Sequence, residues 1–239
     1  MSLLTDEIKL KKVELTKELF DKYKPELLDM MVSQYHRKDP SSVCSSYDIL
    51  LKYFEEEYEA VFTTDKSYKV GFLYFDEEGA LVGNFMMRDA YITGINHAKA
   101  LETMKPTDDF YDYDLVLIKH LNEIWAKYNI RDGEAIYGTN LAFCEKFLAK
   151  FKGKAVLNLI FAMFADLSVF WAEKLPDFKY GIWVQMRKSL YSTTMKVFNV
   201  LEGREFVFLD DKGAKMEGKL FLVSRKDYAE VVKLWEPMN

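Results

Sequence analysis

Alternating and helical patterns of apolar residues divide the 239-residue chain into predicted strands and helices. Partial alternation predicts a first strand, and apolar residues at helical spacing after Thr16 predict helical segments that end before Asp39-Pro40. A polar connector and a second helix follow. The predicted bounds of the strand, connector and second helix are 7–15, 41–46 and 47–58. The acidic run 55–57 near the end of that helix is interpreted as a solvated face.

The clearest hairpin in the chain joins two β-rich runs, 68–75 and 80–88, through the acidic turn Asp76-Glu-Glu-Gly79. Residues 93–109 are read as a loop or insertion without assigned structure. The remaining patterns predict helix 113–128, strand 134–144, helix 155–175, strand 179–186, helix 190–201 and final strands 204–209 and 219–224. This order predicts an α/β (α+β) fold in one domain, 1–239, whose mixed sheet is flanked by helices.

One stretch, Glu134–Leu175, joins a strand to a long apolar helix through a basic loop that contains Gly153. The first turn of a helix leaves about four backbone N–H groups without partners, and these groups with the helix dipole attract phosphate. Glycine lets a ligand approach the backbone closely, and Lys150, Lys152 and Lys154 add positive charge at the same point. The alternative is an ordinary strand–helix connection with solvated lysines.

Composition and charge exclude several classes of function. Nearly half of the residues are apolar, which is typical of a globular protein, and the net charge of −5 gives no overall basic field for nucleic acid. Cys44 and Cys144 lack metal-type spacing, so neither a zinc site nor a disulfide framework is expected. No secretory signal pattern or membrane-length apolar run is found, and the expected location is cytoplasmic.

Three motifs resemble one enzyme family. Lys150-Phe-Lys-Gly153-Lys-Ala155 resembles the Gln/Arg-x-x-Gly-x-Gly/Ala loop with which the GNAT superfamily of acetyltransferases binds the pyrophosphate of acetyl-CoA, although lysine stands at the first position. Lys188-Ser-Leu-Tyr-Ser192 and Asp39-Pro40 resemble segments of the arylalkylamine N-acetyltransferase-like members. In those members the acidic residue before proline is usually glutamate and acts as a general base.

The resemblance implies a GNAT-like, mostly antiparallel sheet and transfer of an acetyl group from acetyl-CoA to a small amine. Asp39 would deprotonate the amine, and Tyr191 or Ser192 would protonate the leaving thiolate. The cofactor-binding residues that it implies are those beside the pantetheine arm, Leu141, Ala142, Phe143 and Cys144, and those of the pyrophosphate loop, Lys150, Lys152, Gly153, Lys154, Ala155 and Val156. A small-molecule amine is the expected partner, with no nucleic acid and no membrane, and a homodimer is left open.

Other interpretations stay open at this point. The chain could be a GNAT-fold protein that has lost catalysis and binds a ligand or partner, or a plain α/β interaction module. Asp39 could be only a turn residue before proline. Tyr191 and Ser192 could be only the first residues of a helix. Cys144 is expected to be a small buried apolar residue and not a nucleophile.

Overall fold

The computed structural model describes residues 2–4, 8–36, 47–62, 68–108, 110–151, 153–186, 188–210, 213–226 and 230. The strands are β1 Ser2–Leu4, β2 Lys9–Glu14, β3 Lys69–Phe75, β4 Leu81–Asp89, β5 Ala135–Phe143, β6 Tyr180–Gln185, β7 Asn199–Leu209 and β8 Lys215–Ser224. The helices are α1 Lys17–Tyr35, α2 Tyr47–Glu59, α3 Ala90–Thr103, α4 Tyr111–Tyr128, α5 Glu145–Leu148, α6 Gly153–Lys174 and α7 Tyr191–Val197, with short 3₁₀ turns at Ala60–Phe62 and Lys188–Leu190.

The eight strands form one sheet in the order β1-β2-β3-β4-β5-β6-β8-β7. All neighbouring pairs are antiparallel except β5 and β6, which are parallel. A parallel pair requires a long crossover connection, and α6 supplies it. The prediction of a mixed, mostly antiparallel sheet flanked by helices is therefore confirmed.

The hairpin between β3 and β4 forms as its turn residues predict. Asp76 accepts hydrogen bonds on its side chain from the backbone N–H groups of Glu78 (3.1 Å) and Ala80 (2.8 Å). Gly79 has a φ of 82°, a left-handed conformation that favours glycine. The turn therefore fixes which residues of β3 and β4 face each other.

Helices cover both faces of the sheet. On one face α6 and α7 pack against alternate residues of the central strands, among them Phe72, Phe85 and Ile136. On the other face α1 and α2 pack on one half of the sheet and α3 and α4 on the other half. Helix α6 is apolar and long enough to span a membrane by length and composition alone, but it is a core helix of the sheet, with much of its length buried.

Two predicted assignments are wrong. Residues 93–109 are mostly helical, because they belong to α3, whose first turn is capped by the Asp89 side chain accepting from the N–H groups of Tyr91 and Ile92. The buried face of this helix contains Ala90, Thr93 and Gly94, which are too small or polar to produce an apolar period. The predicted helix 190–201 ends at Val197, and β7 begins at Asn199 instead of Arg204.

A buried ion pair joins the sheet to α6. Lys12 of β2 donates to the Asp166 carboxylate, and both side chains are less than one-tenth exposed. Removing one partner of such a pair leaves a desolvated charge without its counter-ion, whereas replacing both with apolar residues of similar volume is often neutral or stabilising.

We expect Asp166→Asn to lower the free energy of unfolding by about 3–5 kcal/mol, measured by chemical denaturation. The double variant Lys12→Met/Asp166→Leu should recover most of that loss. Asp21→Asn is the matched control, since Asp21 pairs with Lys17 on an exposed surface where such a pair contributes about 0.5 kcal/mol or less. Equal losses in the two single variants would contradict the expected importance of burial.

Candidate active site

The parallel strands β5 and β6 separate soon after they meet. Their pairing covers only Ala135–Tyr137 of β5 and Tyr180–Ile182 of β6. Beyond this point β5 continues to Phe143 beside β4, and β6 continues to Gln185 beside β8. The two neighbouring strands therefore diverge and leave a V-shaped gap in the middle of the sheet.

A β-bulge lies on β5 at this gap. Met86 of β4 faces Thr139, and Asn84 faces Ala142, so β5 has one extra residue over this interval. Asn140 has a φ of 56°, in the left-handed region that asparagine tolerates better than most residues. The bulge takes the backbone at Asn140 and Leu141 out of the regular ladder.

The side chain of Asn84 holds the bulge in place. Its Nδ2 donates to the backbone carbonyl of Asn140 at 2.7 Å and also to the hydroxyl of Tyr58. Asn84 and Asn140 are both buried. A buried hydrogen bond between a side chain and an irregular backbone fixes that conformation, because breaking it would leave polar groups without water.

A cavity of about 190 Å³ lies in the gap and is lined by residues from both faces of the sheet. On the face covered by α1–α4 it is lined by Gln34, Leu50, Tyr53, Phe110, Tyr113, Tyr137 and Val184. On the face covered by α6 and α7 it is lined by Phe85, Ile136, Phe164, Leu167, Trp171, Trp183, Gln185 and Phe198. Leu141, a predicted cofactor-binding residue, lies at the bulge and lines this cavity.

Three tyrosines contribute the hydroxyl groups on the α1–α4 side of the cavity. Burial raises the pKa of Tyr53, Tyr113 and Tyr137, and Tyr113 and Tyr137 are joined by a hydrogen bond. Their side chains are therefore neutral phenols near pH 7. They can donate hydrogen bonds to a ligand, but they cannot serve as the base that removes a proton from it.

A buried charge pair lies next to these tyrosines. Arg88 Nη1 is 2.9 Å from Glu57 Oε1 and 2.8 Å from its Oε2, and each side chain is about 15 % exposed. Burial alone would lower the pKa of Arg88, but Glu57 raises it and keeps the guanidinium charged. The interpretation of 55–57 as a solvated face is therefore wrong for Glu57, which helix periodicity turns inward while Glu56 stays exposed.

The start of α6 is open on its outer side. Gly153 is exposed, and no described atom lies within 4 Å of the place where a Cβ would stand. Lys150 and Lys154 are also exposed, and the first turn of α6 has no acidic residue. Ala155 is buried and Val156 half-buried against the core. Lys152 lies outside the described residues.

Of the predicted catalytic residues, the structure describes Tyr191 and Ser192. The Tyr191 hydroxyl is 3.4 Å from the backbone carbonyl of Gln185, and its ring packs on Phe221. Ser192 is exposed, and neither residue is among the described residues that line the cavity. Asp39 lies outside the described residues, so its role stays a prediction.

The predicted cofactor-binding residues at the end of β5 are mostly buried. Ala142 and Phe143 are buried, and Cys144 is a free, half-buried thiol beside two apolar clusters.

In the part of the chain that the structure describes, no group of three His, Cys, Asp or Glu side chains is placed to hold a metal ion.

Solved structures with the same architecture are found at very low sequence identity. The C-terminal condensation domain of Ebony in complex with beta-alanyl-dopamine aligns with a TM-score of 0.57 and 11% identity over 90% of this chain and 98% of that one. Drosophila melanogaster polyamine N-acetyltransferase, which forms N-acetylagmatine, aligns with a TM-score of 0.56 and 9% identity over 90% of this chain and 100% of that one. Mosquito arylalkylamine N-acetyltransferase-like 5b aligns with a TM-score of 0.55 and 13% identity over 89% of this chain and 99% of that one.

The chain has the GNAT acyltransferase fold. No protein-family model matches the sequence, and no curated protein sequence matches it. The GNAT architecture is therefore retained here with a sequence far from those of the solved structures. The predicted resemblance is confirmed at the level of the fold.

Sequence reasoning missed several residues of the GNAT-fold cavity. Tyr53, Tyr113 and Tyr137 come from two helices and a strand that are far apart in the chain, and Asn84 lies in a strand that shows only a β pattern. The one local signal was the position of Asn140, since asparagine is among the few residues that adopt a positive φ readily.

We expect Asn84→Leu to lower the free energy of unfolding by about 1–3 kcal/mol, because it leaves the Asn140 carbonyl without its buried donor. Asn199→Leu is the control, since its Nδ2 donates to the Arg225 carbonyl at an exposed position. Chemical denaturation of the two variants measures the difference. A loss in Asn84→Leu no larger than in Asn199→Leu would show that the bulge does not depend on this hydrogen bond.

Proposed function

We propose that the protein is an acetyl-CoA-dependent N-acetyltransferase that acts on a small amine. The observation that carries the proposal is the gap between β5 and β6, which contains a bulge held by Asn84 and a cavity lined by residues from both faces of the sheet. A donor and an acceptor can therefore meet inside the protein from opposite sides, which is what direct transfer without a covalent enzyme intermediate requires.

The chain contains the groups needed to hold the donor. Residues 138–143 of β5 have β4 on one side and no β6 partner on the other, so the backbone groups that β4 and Asn84 leave unpaired can pair with the amides of a pantetheine arm as an added strand would. The exposed start of α6, with Gly153, Lys150 and Lys154, suits the pyrophosphate. Coenzyme A supplies an acyl group already activated as a thioester, so the protein mainly positions it.

The bulge provides a candidate oxyanion site. A backbone N–H at Asn140–Leu141 that is released from the ladder can donate to the thioester carbonyl as negative charge develops on its oxygen. Because Asn84 fixes the bulge, the donor is already oriented before substrate binds. Removing one such donor typically lowers kcat by about 10²–10³.

The acceptor amine is assigned to the α1–α4 side of the cavity. Gln34 near the end of α1 lines this side, and Asp39, the proposed general base, follows five residues later in the chain. The tyrosine hydroxyls remain protonated and can orient the amine. Tyr191 or Ser192, at the start of α7 beyond Gln185, is the proposed proton donor to the leaving thiolate.

Acetyl-CoA should raise the melting temperature of the protein, and Gly153→Glu should abolish that rise. A ligand at 100 times its Kd stabilises the folded state by about 2.7 kcal/mol. The glutamate adds bulk and negative charge where the pyrophosphate is expected, in space that is open in the free protein. The variant should therefore fold normally while losing the ligand.

Leu115→Glu is the matched control for that experiment. Leu115 is exposed on α4, on the face of the sheet opposite α6, and the substitution adds the same charge. The acetyl-CoA effect should survive in this variant. An undiminished effect in Gly153→Glu would show that the pyrophosphate does not bind at the start of α6.

Asp39→Asn should lower kcat by about 10²–10⁴ while the acetyl-CoA-induced rise in melting temperature is retained, because a general base acts on the amine and not on the donor. The measurement is thiol release across a panel of amines. Asp29→Asn serves as control, since Asp29 is exposed on α1. Unchanged turnover in Asp39→Asn would remove the assigned base.

A further inference from the structure

The cavity has an apolar part that acetyl transfer alone does not require. We call it the α6-side lobe, and its walls are Ile136, Phe164, Leu167, Trp171, Trp183 and Phe198. Trp171 keeps its indole N–H away from the lobe by donating to the carbonyl of Phe178 at 2.6 Å. The walls therefore present hydrocarbon and aromatic surface, with the Trp183 indole N–H as their polar group.

The lobe lies beyond the bulge, toward the closed end of the gap. Ile136 precedes Leu141 by five residues, which is about 16 Å along a strand. Leu167 and Trp171 follow Gly153 by 14 and 18 residues, which is about 21 and 27 Å along a helix. A donor that extends from the start of α6 to the bulge therefore points its acyl group into this lobe.

Two buried polar atoms belong to residues that line the cavity on the α6 side. Gln185 is 6 % exposed, and its Nε2 donates to Thr194 Oγ1 at 2.7 Å. Its Oε1 and the indole Nε1 of Trp183 are buried without a hydrogen-bond partner in the described structure, and both residues line the cavity. Buried polar groups are rarely left unpaired, so one acceptor and one donor here point to a ligand with an amide N–H and a carbonyl.

We propose that the α6-side lobe binds the hydrocarbon chain of a medium-length acyl group, so that acyl-CoA donors of about four to eight carbons bind the same donor site more tightly than acetyl-CoA. The inference rests on the proposed function and refines its donor. In the reaction the amine nitrogen forms a bond to the thioester carbonyl carbon and the carbon–sulfur bond breaks. The thiolate takes the proton that the amine loses, and the chain is transferred unchanged.

The size of the cavity agrees with such a chain. An engineered apolar protein cavity of about 150 Å³ binds benzene, and the whole cavity here, of which the lobe is one part, measures about 190 Å³. Burial of each methylene group contributes enough free energy for about a fourfold gain in affinity. The four methylenes that distinguish hexanoyl-CoA from acetyl-CoA should therefore tighten binding at least tenfold.

The test titrates acetyl-, butyryl-, hexanoyl- and octanoyl-CoA into the 239-residue chain and follows tryptophan fluorescence, since Trp171 and Trp183 line the lobe. The Kd should fall from acetyl- to hexanoyl-CoA by at least tenfold. If acetyl-CoA binds and hexanoyl-CoA binds no more tightly, the lobe does not take the chain and only this inference fails. If no CoA ester binds, the proposed function fails with it.

Leu167→Trp tests whether the chain enters the lobe. The larger side chain fills the space, so the preference for hexanoyl-CoA over acetyl-CoA should disappear. Leu167→Phe is a milder change for the case in which Leu167→Trp does not fold, and melting temperatures without ligand report folding. Leu115→Trp on exposed α4 is the control and should keep the preference. A folded Leu167→Phe or Leu167→Trp variant that still prefers hexanoyl-CoA tenfold would overturn the proposal.

Discussion

The pairing of β5 with β6 is the constraint on which the rest of the structure depends. Three residue pairs hold the strands together, and beyond them the backbone of β5 faces a gap. A backbone group that is buried without a partner costs about 1–3 kcal/mol, so a sheet does not open in its centre without compensation. The surrounding elements must hold the strands apart, and something in the gap must satisfy the open groups.

Aromatic packing and two glycines maintain the divergence on the α6 side. A Cβ on Gly138 would lie 3.0 Å from the Phe85 ring, and one on Gly181 would lie 2.9 Å from Trp183 and 3.1 Å from Trp171. The rings therefore occupy the space that side chains at these strand positions would fill. On the other face Asn84 braces the bulge. The gap is thus built into the packing of the free protein, and a ligand does not need to create it.

The parts of the fold that sequence could predict are those with local physical causes. The hairpin at Asp76–Gly79 follows from turn chemistry, and α6 follows from a long apolar run after a strand. Helix α3 could not be predicted because its buried face consists of small residues, and a Cβ on Gly94 would lie only 3.5 Å from Leu121 of α4. The inward turn of Glu57 depends on Arg88, which is 31 residues away and belongs to another element.

The parts of the candidate site that consist of residues adjacent in the sequence could be predicted, and the parts assembled from distant segments could not. The loop before α6 could be recognised from adjacent residues, and the structure leaves its glycine open to solvent. The cavity could not be predicted, because its walls come from helices and strands that meet only in the folded protein.

The sheet divides the cavity into two sides with different environments. The α1–α4 side has neutral phenol groups beside the buried Glu57–Arg88 pair, which can orient a polar amine. The α6 side has hydrocarbon and aromatic walls, which favour an apolar chain and exclude water from it. In the proposed reaction, the thioester carbonyl carbon would lie between the two sides of the cavity, at the bulge. A backbone N–H there would donate to the carbonyl oxygen in place of the water that both sides exclude. In the proposed reaction the geometry of the strands would place both reactants and the backbone donor, and the proposed base would act within that frame.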